Sequence, residues 1–278
     1  MSNLTIGNMT RVELDIAVEW AAIEGWNPGK YDAESFYASD PNGFFIAKMR
    51  NEPVGCISAI AYDEGFGFLG FYIVKPEFRG QGIGLKLWNK GMEYLGNRNI
   101  GLDGVVAQQK NYAKSGFKFA YSNVRYEGIA EGADSSEVVD ISGVPFEEVV
   151  AYDKGIFKSE RGVFLENWLK QPESFALGCI EDEKLTGYGM VRACRVGYKI
   201  GPLFADNEKT AIAIFNALTY KIRGEKVYFD VPEANERAIN IAKRCGMTKV
   251  FETARMYNKD IYRLPYRSIY GVTTFELG

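Results

Sequence analysis

The sequence predicts an α/β fold present twice in tandem, and three observations carry that expectation. Hydrophobic periodicity alternates between helical and strand-like along each half of the chain. Short residue patterns recur at a nearly constant offset of about 130 positions. One strand also runs through a glycine-rich turn directly into a helix. The length of 278 residues suits two domains, since single domains usually hold roughly 100–200 residues.

The elements follow in order. Thr10-Arg11-Val12-Glu13 has the S/T-x-x-E form of a capping box, in which Thr10 caps the first amides and Glu13 reaches back. Val12, Ile16, Trp20 and Ile23 follow at helical spacing and are expected to form the buried face. Gly25 and Asn27-Pro28-Gly29 end that helix, and a short second helix is expected over 33–37. From Gly43 the period falls to that of strands, over 44–48, 53–62 and 67–74, with a turn at Asn51-Glu52. A helix over 82–95 should bury Ile83, Leu87, Trp88 and Leu95. A short strand over 104–107 and a helix leading to Gly116-Phe117 complete the half.

The second half repeats this order. Pro41-Asn42-Gly43-Phe44 matches Pro172-Glu173-Ser174-Phe175 at an offset of 131, and Val54-Gly55 matches Thr186-Gly187 at 132. Gly116-Phe117 matches Gly246-Met247 at 130. A single period this long means a duplicated domain and not a solenoid. The polar stretch Glu131–Glu137 has the composition of a connection, so the expected domains are 1–131 and 138–278.

Composition excludes several functions. With 33 basic and 36 acidic residues the net charge is −3 and no long run of one sign occurs, so no nucleic-acid footprint is present. The chain has no histidine, which removes His-based triads, His metal sites and a His proton switch. Cys56, Cys179, Cys194 and Cys245 form no C-x-x-C pair, so neither a metal site nor a disulfide framework is expected. Small buried hydrophobes in a reducing compartment are the expected role. The polar MSNLTIGNMT start lacks a signal pattern, and no apolar run approaches the ~20 residues that span a bilayer. The expected location is the cytoplasm, without a membrane partner.

Chemistry concentrates between Gly67 and Gly84. Glycines let backbone N–H groups approach an anion, and a helix N-terminus adds about half a positive charge there. A Walker A loop fails because no Lys-Ser/Thr pair follows the glycines. A Rossmann fingerprint needs G-x-G-x-x-G, whereas these glycines fall at 80, 82 and 84. Asp103, at a tempting distance downstream, is expected ahead of the next strand and not at its end.

Arg79-Gly80-Gln81-Gly82-Ile83-Gly84, behind Val74-Lys75-Pro76, resembles motif A of the GNAT superfamily of N-acetyltransferases, Q/R-x-x-G-x-G/A after a V-x-P-type turn. Tyr112-Ala113-Lys114-Ser115-Gly116-Phe117 resembles the Y-x-x-x-G-F ending of the family's motif B, about 30 residues further on. The GWNPG loop and the C-terminal GVTTFELG are similar to a two-domain subgroup of that family. The resemblance implies a mixed sheet with helices on both faces in each half. It implies acetyl transfer from acetyl-CoA to an amine of a small molecule or short peptide, in a ternary complex. Backbone amides of Gly80, Gln81, Gly82, Ile83 and Gly84 would hold the pyrophosphate, with Arg79 at the motif's first position. Ile73 and Val74 would pair with the pantetheine arm where their strand splays from the next. Tyr112 would protonate the leaving thiolate.

Departures from the family pattern define what stays open. The position where motif B usually carries an Asn holds Val105, leaving Gln108, Gln109 and Asn111 as the nearest amides, with Asn111 the candidate cofactor contact. Many members carry a glutamate on the motif A strand as the base, yet 67–74 contains no acid. Asp63 or Glu64, just before that strand, are the candidate bases, directly or through a water, unless they form only a solvated turn. In the loop 24–32, Glu24, Trp26, Tyr31 and Asp32 are candidate acceptor contacts, an aromatic wall with acids that draw in a cationic amine. A turn packed on the body is the alternative.

In the second half, Asp230 to Asn235 followed by Cys245-Gly246-Met247 resembles motif B and includes the Asn. The motif A position, Gly197 to Asn207, lacks the R-x-x-G-x-G pattern, and Asp206 there would repel a phosphate. One intact cofactor site and one decayed copy are expected, the copy closing the acceptor pocket or forming an interface. No metal is expected, and monomer and homodimer both stay open. A non-catalytic acyl-CoA-binding or regulatory protein is the main rival, followed by an interaction scaffold.

Overall fold

The structure, a computed structural model, describes residues 4–278; of the polar start, Met1–Asn3 lie outside the described residues. The first half contains β1 (Leu4–Asn8), α1 (Arg11–Ile23), α2 (Asp32–Ser39), β2 (Phe44–Met49), β3 (Glu52–Ala61) and β4 (Phe66–Val74). It continues with α3 (Ile83–Leu95), β5 (Asn99–Val105), α4 (Gln109–Lys114) and β6 (Lys118–Ile129). The second half repeats that order with β7 (Val138–Asp140), α5 (Phe146–Phe157), α6 (Gly162–Trp168), β8 (Ser174–Glu181), β9 (Lys184–Ala193) and β10 (Tyr198–Ala205). Then follow α7 (Glu208–Lys221), β11 (Lys226–Pro232), α8 (Glu236–Arg244) and β12 (Thr248–Tyr257), before a tail that contains β13 (Ile269–Gly271). The tandem α/β expectation holds.

Strand alternation explains why helices cover both faces. On β2, Phe44 and Ile46 pack with α1 and α2, while Phe45 and Ala47 pack with α3, and all four are buried. Continuous apolar runs of this kind suit strands covered on both sides. In α3 the expected inward residues Ile83, Leu87, Trp88 and Leu95 are buried.

Three local expectations need correction. The Thr10–Glu13 capping box forms, but α1 buries Leu14, Ala17, Val18, Trp20 and Ala21. Val12 and Ile23 are 74% and 73% exposed, because the small Ala17 and Ala21 set the packed face and rotate the helix ends outward. β5 begins at Asn99, so Asp103 lies within the strand and not ahead of it. Gly101 and Gly104 had obscured its alternation. Cys56, Cys179 and Cys194 are buried and free, whereas Cys245 is free and exposed.

Among the described residues all strands join one 13-stranded sheet, in the order β1-β2-β3-β4-β5-β12-β6-β11-β10-β9-β8-β7, with β13 on β10. The last strands of the two halves are exchanged. β12 lies against β5, with Thr253 opposite Val105, and β6 lies against β11, with Asn123 opposite Pro232. β6 and β12 pair with each other between them. The sheet therefore crosses the stretch 131–137 by three ladders.

Both halves open their sheet at the same place. β4 pairs with β5 only from Phe66 to Leu69. Phe71 then takes φ 44 and the register on β3 slips between Cys56 and Ser58, a bulge that turns the end of β4 away. β10 likewise pairs with β11 only from Tyr198 to Ile200, and its register on β9 slips before Leu203.

The tail fills the second opening. β13 pairs with β10 at Leu203 and Phe204, and the Val272 N–H donates to the Asp230 carbonyl on β11. Asn235, the motif B asparagine, donates from Nδ2 to the Ile269 carbonyl at 2.9 Å. A Cβ on Gly201 would stand 2.6 Å from the Val272 and Thr273 carbonyls. The chain then reaches the first opening, where a Cβ on Gly70 would stand 1.9 Å from the Glu276 carbonyl. Gly70 and Gly201 are equivalent positions in the repeat, and the same tail passes both. Among the described residues, no helix is long and apolar enough to cross a membrane.

Candidate active site

Gly80 and Gly82 adopt φ 76 and 78, the left-handed region that favours glycine, and the space over both is open. Gly82 caps α3 without a side chain, so the first amides of that helix have no protein cap. In α7 the equivalent amides are already used. Asn207 caps that helix by accepting from the Thr210 N–H at 2.9 Å, and the Asp206 carboxylate stands beside it. The third motif glycine serves packing: a Cβ on Gly84 would stand 2.7 Å from the Tyr72 hydroxyl.

From this turn a cleft of about 440 Å³ runs between the diverging ends of β4 and β5. Ile73, Val74, Arg79, Gly80 and Gly84, which the resemblance puts forward as cofactor contacts, line it. Gln81, Gly82 and Ile83 are not among the lining residues: the Ile83 side chain is in the core and Gln81 Nε2 donates to the Glu77 carbonyl. Arg79 donates from Nε to the Val74 carbonyl and from Nη2 to Glu24, tying the turn to the end of α1.

Tyr112 also lines the cleft. Its ring stacks on Trp88 at 5.7 Å and lies where a Cβ on Gly104 would be, 2.2 Å from Cε2. Burial, with Tyr72 beside it, pushes the phenol up to about 12. The hydroxyl therefore keeps its proton at neutral pH.

The other candidates divide. Glu24 and Trp26 line the cleft. Tyr31 and Asp32 do not, because both join the two halves. Tyr31 donates to Glu173, while the fully buried Asp32 accepts from Arg192 Nε at 2.8 Å and from the Gly29 N–H. Asn111 donates to Gln108 on the exposed side of α4, and it is Gln108 that lines the cleft. Asp63 and Glu64 sit at the start of β4, whereas the cleft opens towards its end. Asp63 accepts from the Gly65 and Phe66 N–H groups and from Ser159, which hold its carboxyl below the usual range despite partial burial. Glu64 is exposed. The structure thus does not bring either candidate base to the site.

Residues that sequence reasoning missed form the far wall: Phe251 and Thr253 on β12, Phe275 and Glu276 in the tail, and Asp103 on β5. Behind them lie buried ion pairs. Arg125 binds Asp230 through two bonds of 2.6 and 2.7 Å, donates to the Trp26 carbonyl, and lies between Phe251 and Phe275. Burial works against the charge of Asp230, yet Arg125 holds its carboxyl below the usual range. Asp103 accepts two bonds from Arg255 and one from Asn123. Burial nevertheless pushes its carboxyl up, and Glu276 adds to that push.

Comparison with known proteins bears on this geometry. A model described as "Acetyltransferase (GNAT) family" matches residues 12–117, and one described as "Acetyltransferase (GNAT) domain" matches residues 149–271. The holothin acyltransferase of Pseudoalteromonas sp. (strain SANK 73390) is 31% identical over 269 residues, covering 96% of this chain and 92% of the relative. The chain belongs to the GNAT acetyltransferase family. Two solved structures share the GNAT fold over nearly the whole chain. One, a candidate acetyltransferase from Pyrococcus horikoshii, is 24% identical with a TM-score of 0.84, covering 99% of this chain and 96% of that one. The other, a tandem GNAT protein from the clavulanic acid biosynthesis pathway, is 13% identical with a TM-score of 0.62, covering 94% and 100%. Two GNAT units in one chain thus account for the repeat, and the open cleft belongs to the first of them.

Proposed function

We propose that this GNAT chain moves an acetyl group from acetyl-CoA to the amine of a small molecule, in a ternary complex, in the first-half cleft. One observation carries the reading. The opening between β4 and β5 leads from an uncapped glycine turn to a proton-holding tyrosine, whereas the equivalent opening in the second half is filled by the tail.

The residues fit the co-substrate. Amides of 80–84 at the start of α3 would bind the pyrophosphate. Backbone groups of Ile73 and Val74, released from β5 by the bulge, would bond the pantetheine amides as a neighbouring strand would. Tyr112 would give its proton to the departing sulfur. No cysteine lines the cleft, and burial pushes the Cys56 thiol up. The amine therefore attacks directly, and holding both partners in place supplies most of the rate. Trp26, Phe251 and Phe275 would wall a flat, largely apolar acceptor. The relative's name adds holothin to the acceptors worth testing. We place the activity in the cytoplasm.

The test is calorimetric titration with acetyl-CoA, beside NADH as a control, followed by a panel of small amines with holothin added. Binding of acetyl-CoA alone, weakened in Gly82→Asp, and an acetylated product are the expected results. Binding without any product would favour a non-catalytic acyl-CoA-binding protein, the reading that the acid-free β4 also suggests. No binding would refute both.

A further inference from the structure

The proposed reaction needs a group to take the proton that the amine nitrogen loses, and β4 supplies no acid. Three carboxylates line the cleft, on Glu24, Asp103 and Glu276. Glu24 is paired with Arg79. Asp103 is bonded on both oxygens by Arg255 and also holds Asn123. Glu276 differs from both. It is 4% exposed, yet among the described residues no cation stands within ion-pair distance of it, and its one side-chain bond is to Oε2, from the Thr274 hydroxyl at 2.6 Å. Oε1 has no protein partner and is not sealed in.

The backbone around Glu276 is fixed. Its N–H and that of Leu277 both donate to Thr274 Oγ1, and the Tyr62 hydroxyl donates to the Leu277 carbonyl at 2.8 Å. Its carbonyl occupies the space that Gly70 leaves. On the same wall, Thr253 Oγ1 is buried without a protein partner, a second polar atom with nothing yet to bind.

We infer that Glu276, carried into the first-half cleft by the C-terminal tail, is the general base of the acyl transfer. This rests on the acyltransferase reading above. The amine's electron pair forms the C–N bond to the thioester carbon, and the C–S bond breaks with its pair on sulfur. Nitrogen gives one proton to Glu276 and sulfur takes one from Tyr112. Water returns the proton from Glu276 to the tyrosine, so amide and thiol are the net products.

The charged groups around Glu276 are Asp103 on β5 and Arg255 on β12, Arg125 on β6 and Asp230 on β11, Lys199 on β10, and Arg192 on β9 with Asp32 on α2. Arginines 125, 192 and 255 each have an aspartate. Lys199 donates only to the Asn27 carbonyl. Among the described residues, Glu276 is the carboxyl of the cluster without an ion-pair partner, and Lys199 the amine without one, its pKa lowered by burial and by Arg125.

Glu276→Gln keeps the side chain's length and its acceptor for Thr274, so it tests chemistry more than packing. The probes are acetyl-CoA with hydroxylamine and with tryptamine, followed by thiol release and product mass. We expect acetyl-CoA affinity within about twofold of the parent and turnover lower by about 10²-fold, the low end for a lost general base. Glu276→Asp should recover part of the rate. An active parent whose Glu276→Gln variant keeps its rate would overturn this inference alone. Loss of acetyl-CoA binding together with turnover, without recovery in Glu276→Asp, would also overturn it and leave a structural carboxylate. A parent that binds acetyl-CoA but acetylates neither probe nor any amine of the panel would overturn the acyltransferase reading itself.

Discussion

Replacing Gly70 by alanine tests whether the tail sits against β4 in solution. The added Cβ would stand 1.9 Å from the Glu276 carbonyl oxygen, 2.8 Å from its carbon and 3.0 Å from Ser58 Oγ. To reach the 3.4 Å at which ordinary contact begins, the carbonyl must retreat by about 1.5 Å. Neither side yields easily. The tail is held by the Glu276 and Leu277 N–H bonds to Thr274 and by Tyr62, while Gly70 is paired with Ser58 on β3. Overpacking of this kind costs about 1–3 kcal/mol. At roughly 2–4 °C per kcal/mol for a protein near this size, melting should fall by about 2–12 °C. Turnover should fall by about 10²-fold, because a misplacement of this order at a reacting group costs that much. Acetyl-CoA affinity, set at the other end of the cleft, should stay within about twofold. Scanning fluorimetry, calorimetric titration and steady-state rates measure the three effects. A Gly70→Ala protein that melts and turns over like the parent would refute the placement of the tail.

The other predictions concern the remaining parts of the site. Gly82→Asp puts a side chain into open space but at φ 78, and sets a carboxylate where the pyrophosphate would bind. Strain of about 1–2 kcal/mol should lower melting slightly, while titration should show acetyl-CoA affinity lower by tenfold or more. Tyr112→Phe should leave melting and acetyl-CoA binding unchanged and slow turnover by about 10²-fold. A phenol raised to about 12 in the folded protein, against about 10 unfolded, contributes stability that is complete below pH ~10 and lost as pH rises towards 12. The parent should therefore lose more stability than Tyr112→Phe over that window, and the two should run parallel from pH 7 to 9, as melting curves across pH will check. Arg125→Met leaves Asp230 buried without its partner and should cost about 3–5 kcal/mol in urea denaturation; no loss there would mean that the pair is not closed in solution.

Local features were legible in the sequence, and features made by distant chain segments were not. The motif A turn was readable because strand, glycines and helix are contiguous, and Tyr112 because α4 follows β5 directly. Asp32 was misread because its partner, Arg192, lies 160 residues away. Its acidity beside Trp26 suggested an acceptor contact, whereas burial against Arg192 decides its role. The face of α1 was misjudged for a different reason: large residues near its ends outweighed the alanines that pack. The strand exchange leaves no trace in periodicity, since β6 and β12 both start exposed and become continuously buried further along. Phe251, Thr253 and Glu276 became visible only with that exchange, because each reaches the cleft through the other half's chain.

That dependence accounts for the form of the second half. β12 covers the edge of β5 beside the cleft, with Thr253 opposite Val105, and carries Phe251 into its wall. The tail that follows β12 passes the second opening at Gly201 before it reaches Gly70. Along that route it occupies the place beside β10 that a pantetheine arm would need. A chain that fills one opening to finish the other has no use for a glycine turn at α7, and there Asn207 spends its side chain on the helix it begins. On the proposed function, the missing cofactor turn of the second half and the completed acceptor wall of the first are thus linked through the two ends of the same tail.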